Sequence, residues 1–225
     1  MLEKLNQPRK YDVVLGGKAP PPLTGVVLGG IAGVKQRLQS KVVQHRIAAL
    51  TEAVNYQDAG LELVIQALDD ESQQVRDTAC FQLQGKSAKL ALLKKDAATW
   101  NKWRAHSIRL EESIYVDLSV LNLSELQLCE FNLSSANLIR ANLSNANLSG
   151  ANLSGANLSE ANLMGANLSG AMLSGALLYN ANLTNAILNG AILIGANLQR
   201  SKLHGANFDG AVLHKTTMPD GRIFE

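Results

Sequence analysis

A chain of 225 residues, 46% hydrophobic and carrying a formal net charge of +2, is long enough to bury one or two cores. It is too close to neutral for general attraction to nucleic acid or for acidic mimicry to be the starting expectation. Cys80 and Cys129 have no metal-binding or redox spacing and fall in segments of different character, which argues against a structural disulfide.

Residues 1–34 are rich in Gly and Pro. VVLGG occurs at 13–17 and again at 26–30, with APPPLTG between, and the segment reads as two short extended pieces. GGIAGVKQ has the glycines of a phosphate loop but no Gly-Lys-Ser/Thr, so it carries no nucleotide-binding expectation. MLEKLNQPRK lacks the apolar core of a signal peptide, and VVLGGIAGV at 26–34 is too short to cross a bilayer. The reading is a soluble, cytoplasmic chain with no membrane span.

Residues 35–96 change to helical grammar. Val43, Ile47, Leu50 and Val54 recur at helical spacing over 41–54, with Ser40 placed as N-cap. A second helix over about 60–68 carries Leu61, Val64, Ile65 and Leu68. A third starts at Ser72 and carries Val75, Ala79 and Leu83. The run LVIQALDDESQQVRDTACFQLQG resembles a HEAT repeat, through Asp69, Asp70, Val75, Arg76, Ala79 and Leu83. It spans about one unit. Because a solenoid normally needs roughly three units or more, these helices are expected to dock elsewhere, and the open start of the following repeat is the nearest apolar surface.

Residues 97–115 form a junction. From Lys86 to Arg109 the chain holds seven bases against one acid, Asp96, with Trp100 and Trp103 among them. Lys94, Lys95, Trp100, Lys102, Trp103 and Arg104 are therefore a candidate site for an anionic strand or lipid surface. The preferred reading is that the tryptophans seal the junction while the lysines stay solvated, which sets nucleic acid aside as a partner.

From Val116 to Lys215 the frame is five residues. Every fifth residue from Leu118 to Leu213 is Leu, or Phe at Phe208, and two positions earlier stands Ala from Ala136 to Ala211, with Ser at Ser201. The first four units carry Val116, Leu121, Leu126 and Phe131 at that earlier position. Five matches neither the helical period nor strand alternation. A short fixed period with two apolar positions is the mark of a solenoid, in which stacking buries what one unit cannot.

The A(N/D)LxG units resemble those of the pentapeptide-repeat proteins. The resemblance implies a mainly β fold: a right-handed quadrilateral β-helix of about five coils over 116–220, one unit per side, with a five-residue tail at 221–225, preceded by the small α-helical HEAT-like region. It also implies that the central Leu and the Ala before it point inward and the other three side chains outward. At roughly 4.8 Å per coil the rod is about 24 Å long. Gly or Asn suits the corner backbone, and residues twenty apart lie above one another, so Asn142, Asn162 and Asn182 are expected to form an amide ladder.

No column of outward residues assembles a catalytic pair. His214 and Ser174 share a column about 10 Å apart with Ile194 between them. The chain's four histidines have no metal-ligand spacing. No catalytic, cofactor-binding or metal-binding residue is assigned. The resemblance also raises imitation of DNA by an acidic rod that binds a type II topoisomerase, but 24 Å of duplex carries about 14 phosphate charges. Residues 116–215 hold five acids and four bases, so mimicry is disfavoured by charge. What stands out is apolar: Met172, Ile192, Ile194 and Val212 occupy outward positions on the fourth side, with Leu177 and Ile187 on the flanking sides. They form a candidate surface for a protein partner or self-association. The expected function is a non-catalytic interaction or scaffold protein. The alternatives are a bilin-lyase-like accessory role through the HEAT-like region and anionic-ligand binding through the basic junction.

Overall fold

The computed structural model describes residues 29–109 and 116–225. The extended piece expected at 13–17 lies outside the described residues, as does most of that at 26–30. The chain divides into two compact units between Ala88 and Lys89.

The first unit is helical: α1 (Gly30–Leu38), α2 (Val43–Ala53), α3 (Gln57–Gln66) and α4 (Gln73–Gln82), with single 3-10 turns at Val54–Tyr56 and Ala67–Asp69. Helix α1 begins where the second extended piece was expected to end. Gly33 and Val34 are buried in it, so packing overrides the poor helix propensity of glycine. Helix α2 buries Arg46, Ala49, Leu50 and Ala53, whereas Val54 is exposed. The stripe is thus rotated by about one residue from the Val43, Ile47, Leu50, Val54 reading. The reason is close helix approach: a Cβ on Gly60 of α3 would lie 1.7 Å from the Ala53 carbonyl oxygen, so the small residues set the contact.

The turn into α4 is organised by Asp70. Its carboxylate accepts the Ser72 N–H at 2.8 Å and pairs with the buried Arg46 at 2.9 Å, while Arg76 donates to its carbonyl at 2.6 Å. Val75, Ala79 and Leu83 are fully buried. Ser40 lies two residues before the α2 N-cap, Val42, whose N–H it accepts at 3.1 Å.

The second unit holds most of α5 (Lys86–Lys95), then α6 (Ala97–Arg109) and the solenoid. Parallel bridges join one residue of every unit to the one twenty further on, unbroken from Asp117↔Asn137 to Asn197↔Thr217. Four units therefore make one coil. The backbone alternates direction: Leu158 N donates down to Leu177 O at 2.7 Å, and Asn157 N donates up to Ala136 O at 2.9 Å. Each corner closes with a turn bond such as Ala161 N to Leu158 O at 3.0 Å. Its third residue has positive φ, the conformation for which glycine carries no steric penalty. Leu118 through Leu198, and Ala136 through Ala196, are buried throughout the lumen. The chain ends in a two-residue antiparallel pairing of β1 (Thr216–Thr217) with β2 (Ile223–Phe224).

Residues 97–109 of the junction form a helix, α6, which caps the first coil. On α6, the Trp100 ring packs at a tilt against Trp103 at 5.0 Å and Phe131 at 6.2 Å between ring centroids. Its indole N–H donates to Asn132 O at 2.7 Å. Within the second unit, α6 is the element that covers the start of the coil.

Candidate functional site

The repeat's polar grammar has a structural explanation. The Asn before each central Leu accepts, through Oδ1, the N–H two residues on, as in Ser159 N to Asn157 Oδ1 at 3.1 Å. The same amides stack. Nδ2 of Asn142 donates to Asn122, that of Asn162 to Asn142 and that of Asn182 to Asn162, at 3.0, 3.1 and 3.2 Å. The expected ladder is present, with a second one running through Gln127, Asn147 and Asn167.

Numbering the sides in chain order, the fourth begins at Phe131. Asn132 and Asn152 make the usual bond there, to the N–H groups of Ser134 and Ser154. The column then continues with Met172, Ile192 and Val212, in register through their bridges. None has an acceptor to offer. Among the described residues no acceptor takes the N–H of Ser174, Ile194 or His214. Leu177 and Ile187 replace Asn on the neighbouring sides with the same consequence.

Met172, Leu177, Ile187, Ile194 and Val212 are 39–43% exposed, and Ile192 is half-buried. The C-terminal residues do not cover them. The corners bordering this side are bare as well. A Cβ on Gly170, Gly175, Gly190 or Gly195 would meet nothing within 4 Å. Elsewhere, Glu130 folds over Gly150, Asn145 over Gly165 and Asn185 over Gly205. Non-glycine residues such as Arg140, Asn180 and Arg200 hold the same corner at φ between 56° and 62°. The fourth side is therefore a flat, uncharged strip between two side-chain-free edges in coils three and four. The bare corners and the missing acceptors are features that sequence reasoning did not single out, although the column of glycines every twenty residues was their signal.

The six junction residues divide. Lys94, Lys95 and Lys102 are exposed, whereas Trp100, Trp103 and Arg104 are buried. Arg104 donates to Ser134 O at 2.7 Å, and burial pushes its guanidinium below its ordinary pKa. Asn101, overlooked in the sequence, closes the coil's edge beside Trp100. Charges on the rod are sparse and partly paired, with Arg140 donating to Glu160 at 2.8 Å. Among the described residues no group of three His, Cys, Asp or Glu side chains is placed to hold a metal ion, and no helix is long and apolar enough to cross a membrane.

The pentapeptide-repeats family profile matches in 8 copies over residues 117–155, 141–179 and 176–214. A search of curated proteins finds no match. Among solved structures, the chain is 30% identical to a pentapeptide repeat protein (Rfr23) from the cyanobacterium Cyanothece 51142, covering 54% of this chain and 97% of that one with a TM-score of 0.40. It is 31% identical to a pentapeptide repeat protein of the Arabidopsis thaliana thylakoid lumen, covering 48% and 69% with a TM-score of 0.36. For a pentapeptide repeat protein from Nostoc Pcc 7120 the identity is 38%, the coverage 46% and 74%, and the TM-score 0.30. The repeat grammar, the twenty-residue coil and these identities place the chain in one family: it belongs to the pentapeptide-repeat proteins, whose fold is a right-handed β-helix solenoid.

Proposed function

We propose that the chain is a non-catalytic interaction protein, in which the β-helix is a rigid support and its fourth side, Met172, Ile192, Ile194 and Val212 with Leu177 and Ile187 at its borders, receives a protein partner. The observation that carries this reading is the replacement of Asn by Met, Ile and Val. At each such position the fold gives up the side-chain bond to the N–H two residues on, and at Ile187 the ladder through Gln127, Asn147 and Asn167 stops. A hydrogen bond of this kind contributes about 0.5–1.5 kcal/mol. Solvent-facing apolar side chains that weaken the coil and sit together in register are better explained by a function than by folding. The helical first unit, read as HEAT-like from Asp70, Val75 and Arg76, is proposed as a second interaction module.

A photo-crosslinking side chain at Ser174 tests the surface, with one at the exposed Met164 on the opposite side as control. In extract of the native cell, protein adducts are expected from position 174 and not from 164, and Ile192→Asn with Ile194→Ser should remove them. Equal or absent labelling at the two positions would end the reading.

A further inference from the structure

We infer that the occupant of the fourth side is a second copy of this chain, packed face to face and antiparallel about a two-fold axis through the fourth coil. The inference rests on the interaction reading above and names its partner.

Register is the first argument. Met172, Ile192 and Val212 follow one another at the parallel-strand step, as the bridges Met172↔Ile192 and Ile192↔Val212 show, and that step is roughly 4.8 Å. Another β-helix has the same period. An α-helix, rising 5.4 Å per turn, falls out of step along the column.

The pattern is also self-complementary. A two-fold axis lying in the face, across the rod at Ile192 and Ile194, keeps each column opposite itself and inverts the order of coils. Ile192 then meets Ile192 of the second copy, Ile194 meets Ile194, and Met172 meets Val212. Ser174 meets His214, so the two polar members of the outer column face each other rather than an aliphatic side chain. Lys215, the one charged corner bordering this side in these coils, lies opposite Gly175, where a Cβ would find nothing within 4 Å. A parallel arrangement loses these matches, because it sets His214 opposite Val212.

The bare corners make close approach possible. Gly170, Gly175, Gly190 and Gly195 carry no side chain and have open space outside them, so two faces can reach the sheet-to-sheet spacing of about 10 Å. In coils three and four every peptide N–H of this side except those of Ser174 and Ile194 is engaged within the coil, which leaves side-chain packing as the main means of recognition. Three coils span only about 14 Å, and the contact falls well short of the roughly 800 Å² per partner of a standard interface. The dimer is accordingly weak and concentration-dependent.

Sedimentation of the full chain from about 10 µM to 1 mM, concentrations bracketing a weak Kd, should show the mass rising from one chain towards two. Ile192→Asn with Ile194→Ser should hold it at one, with the melting temperature preserved. In a Cys129→Ser background, a bifunctional thiol reagent of about 5 Å, which bridges facing side chains across the sheet spacing but falls short of the two-coil offset of about 10 Å, should join Ile194→Cys to itself. It should also join Ser174→Cys to His214→Cys when the two are mixed, and neither of these variants alone. A single-chain mass at every concentration, or equal crosslinking of Ser174→Cys by itself, overturns the inference. If that happens while Ser174 photo-adducts to a different protein persist, the surface stands and only its occupant is wrong. If adducts and dimer are both missing, both readings fall.

Discussion

Asn101 and Asn132 meet edge to edge at the start of the solenoid. Asn101 Oδ1 accepts the Asn132 N–H at 2.7 Å, and its Nδ2 donates to Glu130 O at 3.0 Å. One helical side chain thereby takes the Asn132 N–H that a preceding coil would have bonded, as Phe131 O bonds the Asn152 N–H one coil on, while Trp100 and Trp103 cover the apolar end beside it. An open sheet edge invites association, and α6 closes this one.

The cap should therefore separate two truncations. A fragment of residues 89–225 retains α6 and is expected to remain soluble with a cooperative melt, whereas 110–225 should aggregate. Within the full chain, Trp100→Ala should destabilise the second unit by about 3–5 kcal/mol, and Asn101→Ala by about 1–3 kcal/mol. Denaturant unfolding measures both. Aggregation of the longer fragment, or an unchanged midpoint for Trp100→Ala, would contradict this role.

Asn162 lies inside the longest ladder. It donates to Asn142, accepts from Asn182, and accepts the Met164 N–H at 3.3 Å. Asn162→Ala should lower stability by about 1–3 kcal/mol, and Asn162→Asp, which cannot donate to Asn142 when ionised, by at least as much at neutral pH. The thermal midpoint of each variant against wild type decides the matter.

The glycine corners should divide by what lies beside them. At Gly165 a Cβ would sit 2.4 Å from Asn145 Oδ1, while at Gly190 it would meet open space, with φ of +67° and +66° respectively. Gly165→Asn should therefore cost more than Gly190→Asn, which keeps a conformation that Asn180 and Asn185 already adopt. Gly190→Asn should melt within about 1 kcal/mol of wild type and yet weaken self-association by blocking the bare edge. Calorimetry beside sedimentation separates the two effects.

Asp96 opens α6. Its carboxylate accepts the Thr99 N–H at 2.7 Å, and that bond, ahead of the opposing desolvation and with the Thr99 hydroxyl and nearby Lys95 assisting, holds it below the ordinary carboxylate range. A carboxyl depressed in the folded state contributes stability above its unfolded pKa and loses it as pH falls through the folded value. Anchoring of the cap should thus weaken on the acid side of the ordinary carboxylate range. Trp100 and Trp103, the chain's two tryptophans, report it by fluorescence. Asp96→Asn should flatten that acid limb, and an unaltered profile would exclude Asp96 as its source.

The solenoid was legible in the sequence because its period is its structure. A five-residue frame with Leu at the centre and Ala two before it dictates which side chains share the lumen, and Asn142, Asn162 and Asn182 fall into a ladder for no reason beyond being twenty apart. The helices were legible as helices, but the buried stripe of α2 was not. Gly60 lets α3 reach the Ala53 carbonyl, and this close approach rotates Val54 outward, a choice made by the partner helix and invisible in α2 alone. The junction shows the same division. Two tryptophans among bases pointed to a seal, but only the packed structure decided that α6 provides it and that Arg104 is buried with them. Columns such as Met172, Ile192 and Val212 could be drawn from the sequence. That their glycine corners are empty, while Glu130, Asn145 and Asn185 fill others, depends on where side chains of the preceding coil lie, and tertiary stacking alone determines that.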